Sequence, residues 1–276
     1  MPKPFGKVAR SLPKLALAMY SLPNEACPGI LVVTVTTRAT GRKNGGRRKT
    51  DEMQMRQVLR RLGWRVWSDW PQEVYQRQSY QQRLSKVQEH FAQSLDSAHR
   101  GPVRVLSLCA GDGRDVIGVL RSHPRRTGVT AWLVESNRQS VAIGVRHAAS
   151  AGLEKTVNFL CGDATLYVTY KDLAPADIVL VCGVWGHVAA NQRAQLVAGI
   201  ASLCKPDAAV IWTRGLVPNV SRLQEIQSHF AGLAWNKVRV SSTPDQSWAV
   251  ATYRYSGSPH QLSKSGRLFR FRRRAG

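Results

Sequence analysis

Apolar residues between positions 101 and 255 follow two alternating patterns. Short apolar or β-branched runs, typical of buried strands, alternate with stretches whose apolar residues recur at helical spacing. The predicted strands are residues 103–108, 129–135, 156–161, 177–182, 208–213, 235–241 and 247–254. The predicted helices lie near residues 113–122, 138–151, 189–202 and 219–231. This alternation predicts an α/β fold with a mostly parallel sheet and helices on both faces, and the last two strands, joined by a turn, predict one antiparallel pairing.

Helical periodicity also precedes the first predicted strand. It begins at Asp51, is interrupted by an aromatic cluster that includes Trp70, Tyr75 and Tyr80, and resumes up to Leu95. Gly101 and Pro102 then break the chain. The sequence therefore predicts two helices ahead of the sheet.

The first predicted strand runs into a turn of small residues and then a helix. The turn residues are Cys109, Ala110, Gly111, Asp112 and Gly113. Glycine lets the backbone turn sharply and approach a ligand closely. The helix N-terminus behind the turn offers unpaired N–H groups. In open α/β sheets such a crevice, at the carboxyl ends of the strands, binds ligands.

Polar residues follow the next strands at the same edge. Glu135 ends the second strand, 22 residues after Gly113, and a carboxylate at that place can accept both hydroxyls of a ribose. Asp163 follows the third strand, and the turn 182–187 follows the fourth. A glycine turn alone is a weak signal, but these features after successive strands together indicate a site for a nucleoside-containing ligand.

The segment from about Val103 to Tyr255 resembles class I S-adenosylmethionine-dependent methyltransferases. Within it, LSLCAGDGRDVIGVL and IVLVCGVWGHV are similar to a bacterial, mostly actinobacterial, group of methyltransferases of unassigned substrate. The resemblance implies a Rossmann-like seven-stranded sheet, an N-terminal helical lid and S-adenosylmethionine as cofactor. Nicotinamide binding is less favoured because the sequence from Gly111 reads G-D-G-R-D-V, without the third glycine of G-x-G-x-x-G. The Gly-Lys-Ser/Thr of a phosphate-binding loop is absent from the sequence.

The resemblance also implies roles for individual residues. Glu135 holds the ribose, Asp163 and Ala164 flank the adenine, and the first turn lines the methionine part. The candidate cofactor residues are Cys109, Ala110, Gly111, Asp112, Gly113, Glu135, Asp163, Ala164, Cys182 and Gly183. Two residues depart from the broad pattern: Ser107 stands where an acid is frequent, and Cys109 stands where the first glycine usually is. Asp112 or Asp115 is the alternative partner for the methionine ammonium group.

Several residues are candidates for contact with the methyl acceptor, each with a structural alternative. His187 acts as the general base or caps the next helix. Trp185 walls the acceptor pocket or shields the cofactor. Arg214 holds an anionic acceptor or is solvated at a strand end. Tyr75 and Tyr80, with neighbouring Trp70 and Arg83, face the substrate or pack the lid onto the sheet.

The absence of several motifs reduces the range of possible methyl acceptors. The sequence has no Asp/Asn-Pro-Pro-aromatic turn after the fourth strand and no Pro-Cys or Thr-Cys nucleophile, which disfavours methylation of adenine amino groups and of cytosine C5. No cluster of metal ligands lies near the fourth strand, so no metal is expected. O-, N- or C-methylation of a small molecule or of a protein remains.

The net charge of +23 is concentrated at the two ends of the chain. Residues 1–63 contain 13 Lys/Arg against 3 Asp/Glu, and residues 251–276 contain 7 against none, so the ends carry +17. Such ends attract polyanions or are solvated and disordered, and the second interpretation is favoured because no nucleic-acid-binding module accompanies the charge. Nucleic acid is therefore a disfavoured partner.

The five cysteines form no C-x-x-C pair, which argues against a disulfide framework or a zinc site and favours a cytoplasmic protein. A short apolar run within the basic residues 1–22 leaves a targeting segment as the alternative. Every apolar run is shorter than the ~20 residues of a membrane span, so no membrane partner is expected.

We expect four regions: a basic, poorly ordered extension at 1–50, the helical lid at 51–100, a methyltransferase domain at 101–255 and a basic tail at 256–276. The expected function is methyl transfer from S-adenosylmethionine to a small-molecule acceptor. The alternatives are a cofactor-binding module without transferase activity and a nucleic-acid methyltransferase guided by its basic ends. The sequence leaves the oligomeric state and the acceptor open.

Overall fold

The computed structural model describes residues 76–215, 221–231, 234–244, 247–259 and 261–272. The predicted extension, the first predicted helix and the candidates Trp70 and Tyr75 lie outside these residues. The strands are β1 Val103–Leu108, β2 Val129–Glu135, β3 Val157–Cys161, β4 Ala176–Val181, β5 Cys204–Gly215, β6 Trp235–Ser242 and β7 Trp248–Tyr255. The helices are α1 Gln78–Asp96, α2 Arg114–Leu120, α3 Arg138–Ser150, α4 Arg193–Ala201 and α5 Ser221–Ala231.

The seven strands form one sheet in the order β3-β2-β1-β4-β5-β7-β6. Strands β1 to β5 pair in parallel, and β7 is antiparallel to both β5 and β6. This confirms the predicted fold class. Parallel strands are usually covered on both faces of the sheet. This arrangement explains why every residue of the central strand β4 is buried.

Helix α1 is fixed to the sheet by an apolar stripe and by one buried polar group. Val87, Phe91 and Leu95 are buried in the same core as Val103 and Val105 of β1. Between them, His90 is 1% exposed, and its ring nitrogens bond Thr252 Oγ1 at 2.7 Å and Ser241 Oγ at 2.9 Å. Burial lowers the pKa of His90 to about 4, which keeps its ring neutral at physiological pH. The contacts fix α1 against β6 and β7.

The segment after β7 packs into the core, so the expectation that it is only a basic tail is wrong for its later part. Leu268 and Phe269 are fully buried. They belong to the core on one face of the sheet, where the connection from β3 to β4 contains only the 3-10 turn Tyr167–Tyr170. With so little helix in that connection, two apolar residues of the C-terminal segment help to cover the sheet there. We call residues 267–272 the strap.

Candidate functional site

A cavity of about 470 Å³ lies at the carboxyl ends of β1, β2 and β4. Its wall is built by α1, the turn between β1 and α2 with the start of α2, the turn between β2 and α3 with the start of α3, the turn after β4, and single residues of β5 and the strap. The structure brings most of the predicted site residues together there. The predicted residues in the wall are Tyr80, Cys109, Ala110, Gly111, Asp112, Glu135, Cys182, Gly183 and His187.

The glycines of the turns have two different tasks. Gly113 is the N-cap residue of α2 with φ of +73°, and a Cβ there would lie 2.5 Å from Leu133 Cδ2, so the absence of a side chain allows close packing behind the cavity. Gly111 and Gly183 have φ of +59° and +73°, and a Cβ on either would meet no atom within 4 Å. Their missing side chains leave the backbone open towards the cavity.

Glu135 holds the first turn in place. Its Oε2 accepts a hydrogen bond from Gly111 N at 2.9 Å, and its Oε1 accepts one from Asn137 N at 2.8 Å. Each carboxylate oxygen can accept more than one hydrogen bond. The carboxylate can therefore receive hydroxyl groups of a ligand while it continues to organise the turn.

The two alternative acids of the first turn have different surroundings. The Asp112 carboxylate accepts a hydrogen bond from Arg114 Nε at 2.6 Å, so a basic neighbour already compensates its charge. Asp115, the second residue of α2, is 9% exposed and lines the cavity. Burial, with a small addition from Asp112, raises its pKa from an ordinary 3.8 to about 6. A cationic ligand group would therefore stabilise the ionised carboxylate of Asp115 more than that of Asp112.

Arg83 of α1 lies at the same end of the cavity as Asp115. Both side chains line the wall next to Cys182. Burial raises the pKa of the Cys182 thiol, Asp115 raises it further and Arg83 opposes the change. This end of the cavity therefore presents one acidic side chain, Asp115, and one positively charged side chain, Arg83, to a ligand.

Asp163 and Ala164 are not part of the cavity wall. The Oδ1 atom of Asp163 accepts hydrogen bonds from Thr165 N at 2.9 Å and Thr165 Oγ1 at 2.7 Å. Its Oδ2 atom accepts one from Arg267 Nη1 of the strap at 3.0 Å. In this structure Asp163 organises the turn after β3, and its predicted contact with an adenine stays a prediction.

Two residues predicted to contact the acceptor lie elsewhere. Trp185 is fully buried, with its ring 5.8 Å from Trp212 and 5.9 Å from Phe230, so the expectation that it walls the pocket or shields a cofactor is wrong. Arg214 is only 9% exposed, which excludes a solvated strand end. Its guanidinium packs on Gly186, where a Cβ would lie 2.8 Å from Nη1, and it is not in the cavity wall.

Thr213 and Phe271 are among the wall residues that sequence reasoning missed. Thr213 at the end of β5 accepts a hydrogen bond from Gly183 N at 2.9 Å through its Oγ1, which orients the turn after β4. Phe271 comes from the strap. The available signal was the occurrence of Leu268, Phe269 and Phe271 in an otherwise polar and basic segment.

The sequence matches a protein family described as "Putative methyltransferase" over residues 36–255. These residues make up well over half of the chain. The protein belongs to this methyltransferase family. The match ends before the strap.

Solved structures show the same fold at low sequence identity. Magnesium protoporphyrin IX methyltransferase from Synechocystis PCC 6803, solved with bound SAM, is 14% identical, with a TM-score of 0.53 over 75% of this chain and 97% of that chain. An O-methyltransferase family protein from Burkholderia thailandensis is 19% identical, with a TM-score of 0.50 over 64% of this chain and 56% of that chain. No curated protein matches the sequence significantly.

Two kinds of feature are not found in the described part of the methyltransferase. None of the described helices combines the length and the apolar character needed to cross a membrane. Within the same residues, no group of three or more His, Cys, Asp or Glu side chains could hold a metal ion.

Proposed function

We propose that this protein transfers a methyl group from S-adenosylmethionine to a small-molecule acceptor. The observation that carries the proposal is one cavity lined by the open backbone of Gly111 and Gly183 and by two carboxylates, Glu135 and Asp115. Membership in a methyltransferase family supports it. So does the similar fold of the Synechocystis methyltransferase, which was solved with bound SAM.

The residues of the cavity fit the parts of this cofactor. Glu135 accepts the ribose hydroxyls. Gly111 and Gly183 leave the space that the ligand chain needs, since a Cβ at either position would project into an open region. Asp115 and Arg83 match the ammonium and carboxylate groups of the methionine part in charge. Asp115 thus replaces the acid that Ser107 does not supply at the end of β1.

S-adenosylmethionine supplies an electrophilic methyl group on a positively charged sulfur. The protein contributes position, exclusion of water and a proton acceptor. His187 lines the cavity, and its backbone is fixed on both sides: His187 N donates to Val184 O at 2.9 Å, and its carbonyl accepts from Arg272 N at 2.8 Å. We assign to its imidazole the proton released from an acceptor hydroxyl or amine.

The cavity volume of about 470 Å³ lies within the range of small-molecule sites and fits the cofactor itself. The sequence also lacks the Asp/Asn-Pro-Pro-aromatic turn and the Pro-Cys or Thr-Cys nucleophile, which disfavours methylation of adenine amino groups and of cytosine C5. A small hydroxyl- or amine-bearing compound is therefore the favoured acceptor.

The function is tested by incubating the protein with S-adenosylmethionine and acceptors of several classes, and measuring S-adenosylhomocysteine. The classes are phenols, amines, carboxylic acids, an unstructured protein and RNA. We expect product with at least one small molecule and none with RNA. Product with RNA alone would contradict the small-molecule assignment. Cofactor binding without product from any acceptor would favour a binding module.

We expect the affinity for S-adenosylmethionine to fall as the pH drops below about 6. Below this pH Asp115 is protonated in the ligand-free protein, and an ammonium group can bind beside it only after that proton leaves. The affinity should fall by up to about tenfold for each pH unit. Calorimetry across this range measures the effect.

The Asp115→Asn variant provides the control. It should bind more weakly at neutral pH and show a flatter pH dependence, because no carboxyl titrates at this position. The pH dependence of the stability of the ligand-free protein has the opposite sign to that of the affinity. Because the pKa in the folded protein lies above the ordinary value of 3.8, the ligand-free protein loses stability as the pH rises through about 6. Equal pH profiles for the wild type and the variant would reject Asp115 as the partner of the ammonium group.

A further inference from the structure

We infer that the methyl acceptor is a phenol, a flat and uncharged aromatic compound whose ring packs against Phe271 of the strap while its hydroxyl group lies beside His187. The inference rests on the proposed function, since it names the class of acceptor for the same cavity. Phe271 lies beyond the family match, which ends at residue 255.

The strap is joined to the turn after β4 directly beside His187. Phe271 pairs with Val188 in an isolated antiparallel bridge, and Arg272 N donates a hydrogen bond to His187 O at 2.8 Å. Phe271 and His187 both line the cavity. Main-chain contacts between neighbouring residues therefore hold these two side chains at adjacent places in the wall.

Buried residues of the strap anchor the ring of Phe271. Leu268 and Phe269 are fully buried, and the ring of Phe269 stands edge-on to that of Phe271 with centroids 5.1 Å apart. Phe271 itself is only half-buried, so part of its surface remains accessible where it lines the cavity. A ring held in this way offers a flat apolar surface, and little conformational entropy is lost when a ligand packs on it.

The part of the wall around Phe271 carries no permanent charge among the residues that the structure describes. The turn after β4, β5 and the strap contribute Cys182, Gly183, Val184, His187, Thr213 and Phe271. The charged wall residues come from α1 and from the turns and helix starts after β1 and β2, and they are Arg83, Asp112, Arg114, Asp115 and Glu135. An acceptor with a carboxylate or phosphate would lose hydration beside Phe271 without gaining an opposite charge.

The arginines near this part of the wall do not change that conclusion. Arg270 and Arg272 flank Phe271 in the strap, but both are exposed and neither lines the cavity. Arg214 is buried against Gly186 and is also outside the wall. Apolar side chains complete the surface instead, because Leu84 of α1 lines the same cavity.

The chemistry of the transfer also favours a phenol. The hydroxyl oxygen of the acceptor forms a bond to the methyl carbon, and the carbon–sulfur bond breaks with its electron pair remaining on sulfur. The hydroxyl proton passes to the imidazole of His187 and then to solvent. A phenolic hydroxyl has a pKa of about 10, against about 16 for water, so an imidazole accepts its proton far more readily than that of an aliphatic alcohol.

The first experiment is a calorimetric titration of the full-length protein, saturated with S-adenosylhomocysteine, with three bicyclic probes of similar size. These are 2-naphthol, the saturated decahydro-2-naphthol and the anionic 2-naphthoate. We expect 2-naphthol to bind roughly three- to tenfold more tightly than either of the others. Equal binding of the saturated alcohol would overturn the aromatic contact. Equal or tighter binding of 2-naphthoate would overturn the uncharged acceptor, and absence of 2-naphthol binding would overturn both.

The second experiment tests Phe271 itself. Phe271→Leu keeps an apolar side chain but removes the ring, so it should bind 2-naphthol and decahydro-2-naphthol about equally. Leu262→Ala is the matched control, since Leu262 and Phe271 are both partly buried against the same core but only Phe271 lines the cavity. The control should keep the preference of the wild type, and both variants should bind S-adenosylhomocysteine normally. Melting temperatures report folding.

The outcomes separate this inference from the proposed function. If Phe271→Leu still prefers 2-naphthol as strongly as the wild type does, another surface holds the ring and the inference is overturned. It is also overturned if Leu262→Ala loses the preference to the same extent. If the wild type does not bind S-adenosylhomocysteine, the proposed function fails, whatever these probes and variants do.

Discussion

Replacing Gly111 by valine abolishes cofactor binding and leaves the protein folded. A Cβ on Gly111 would meet no atom of the protein within 4 Å, so the substitution creates no clash in the ligand-free chain. The branched side chain instead fills space in the cavity that the ligand chain needs. We expect at least a ~100-fold loss of affinity, which is about 2.8 kcal/mol.

The positive φ of Gly111 requires a matched control, because valine at φ of +59° strains the backbone by itself. Gly152 has φ of +65°, meets no atom within 4 Å at its Cβ position, and lies outside the cavity wall. Gly152→Val should therefore lower the melting temperature to a similar extent and keep the affinity. Isothermal titration calorimetry with thermal unfolding separates the two effects. Normal binding by Gly111→Val would refute the position of the ligand.

Replacing Glu135 by alanine weakens binding by roughly 10- to 100-fold, because hydrogen bonds to a charged group contribute about 1.5–3 kcal/mol. The variant loses the acceptor for the ribose hydroxyls. It also loses the bonds that Glu135 accepts from Gly111 N and Asn137 N. Glu154→Ala, which removes an exposed glutamate, should bind normally.

A double-mutant cycle separates direct contact from indirect support of the turn. The second change is made in the ligand, by using an S-adenosylhomocysteine analogue without the ribose hydroxyls. The analogue should bind the wild type more weakly than S-adenosylhomocysteine does, and the Glu135→Ala variant should not distinguish the two ligands. If the variant still discriminates as strongly as the wild type, another group holds the ribose.

The sheet and the first turn were predictable because their signals are local. The apolar runs of β1 and β4 are complete within six residues each. In the turn 109–113, glycines occupy the positions where the backbone turns sharply, and Glu135 follows at the end of β2. Each of these features depends on neighbours in sequence, so the pattern alone indicates the position of the cavity.

Trp185, Arg214 and the strap were not predictable in this way because long-range packing decides their places. Trp185 follows β4 in a turn, where an aromatic residue can face a ligand or the core. Its partners, Trp212 and Phe230, come from β5 and α5. Leu268 and Phe269 of the strap are buried where the connection from β3 to β4 has little helix, a deficit that the sequence of the strap does not show.

The choice of Asp115 over Asp112 also needed the structure. Asp112 lies two residues before α2 and Asp115 is the second residue of the helix, and this spacing does not show which of them faces a ligand. Arg114 neutralises one of them, and burial raises the pKa of the other to about 6. The difference depends on which side chain the folded protein leaves facing the cavity.

The most direct test of the central claim is a calorimetric titration of the wild-type protein with S-adenosylmethionine and, separately, with NADH. The cavity predicts micromolar binding of S-adenosylmethionine, with one site per chain, and no binding of NADH. Binding of NADH without binding of S-adenosylmethionine would contradict the account, because Glu135 and the glycine turn would then serve a dinucleotide.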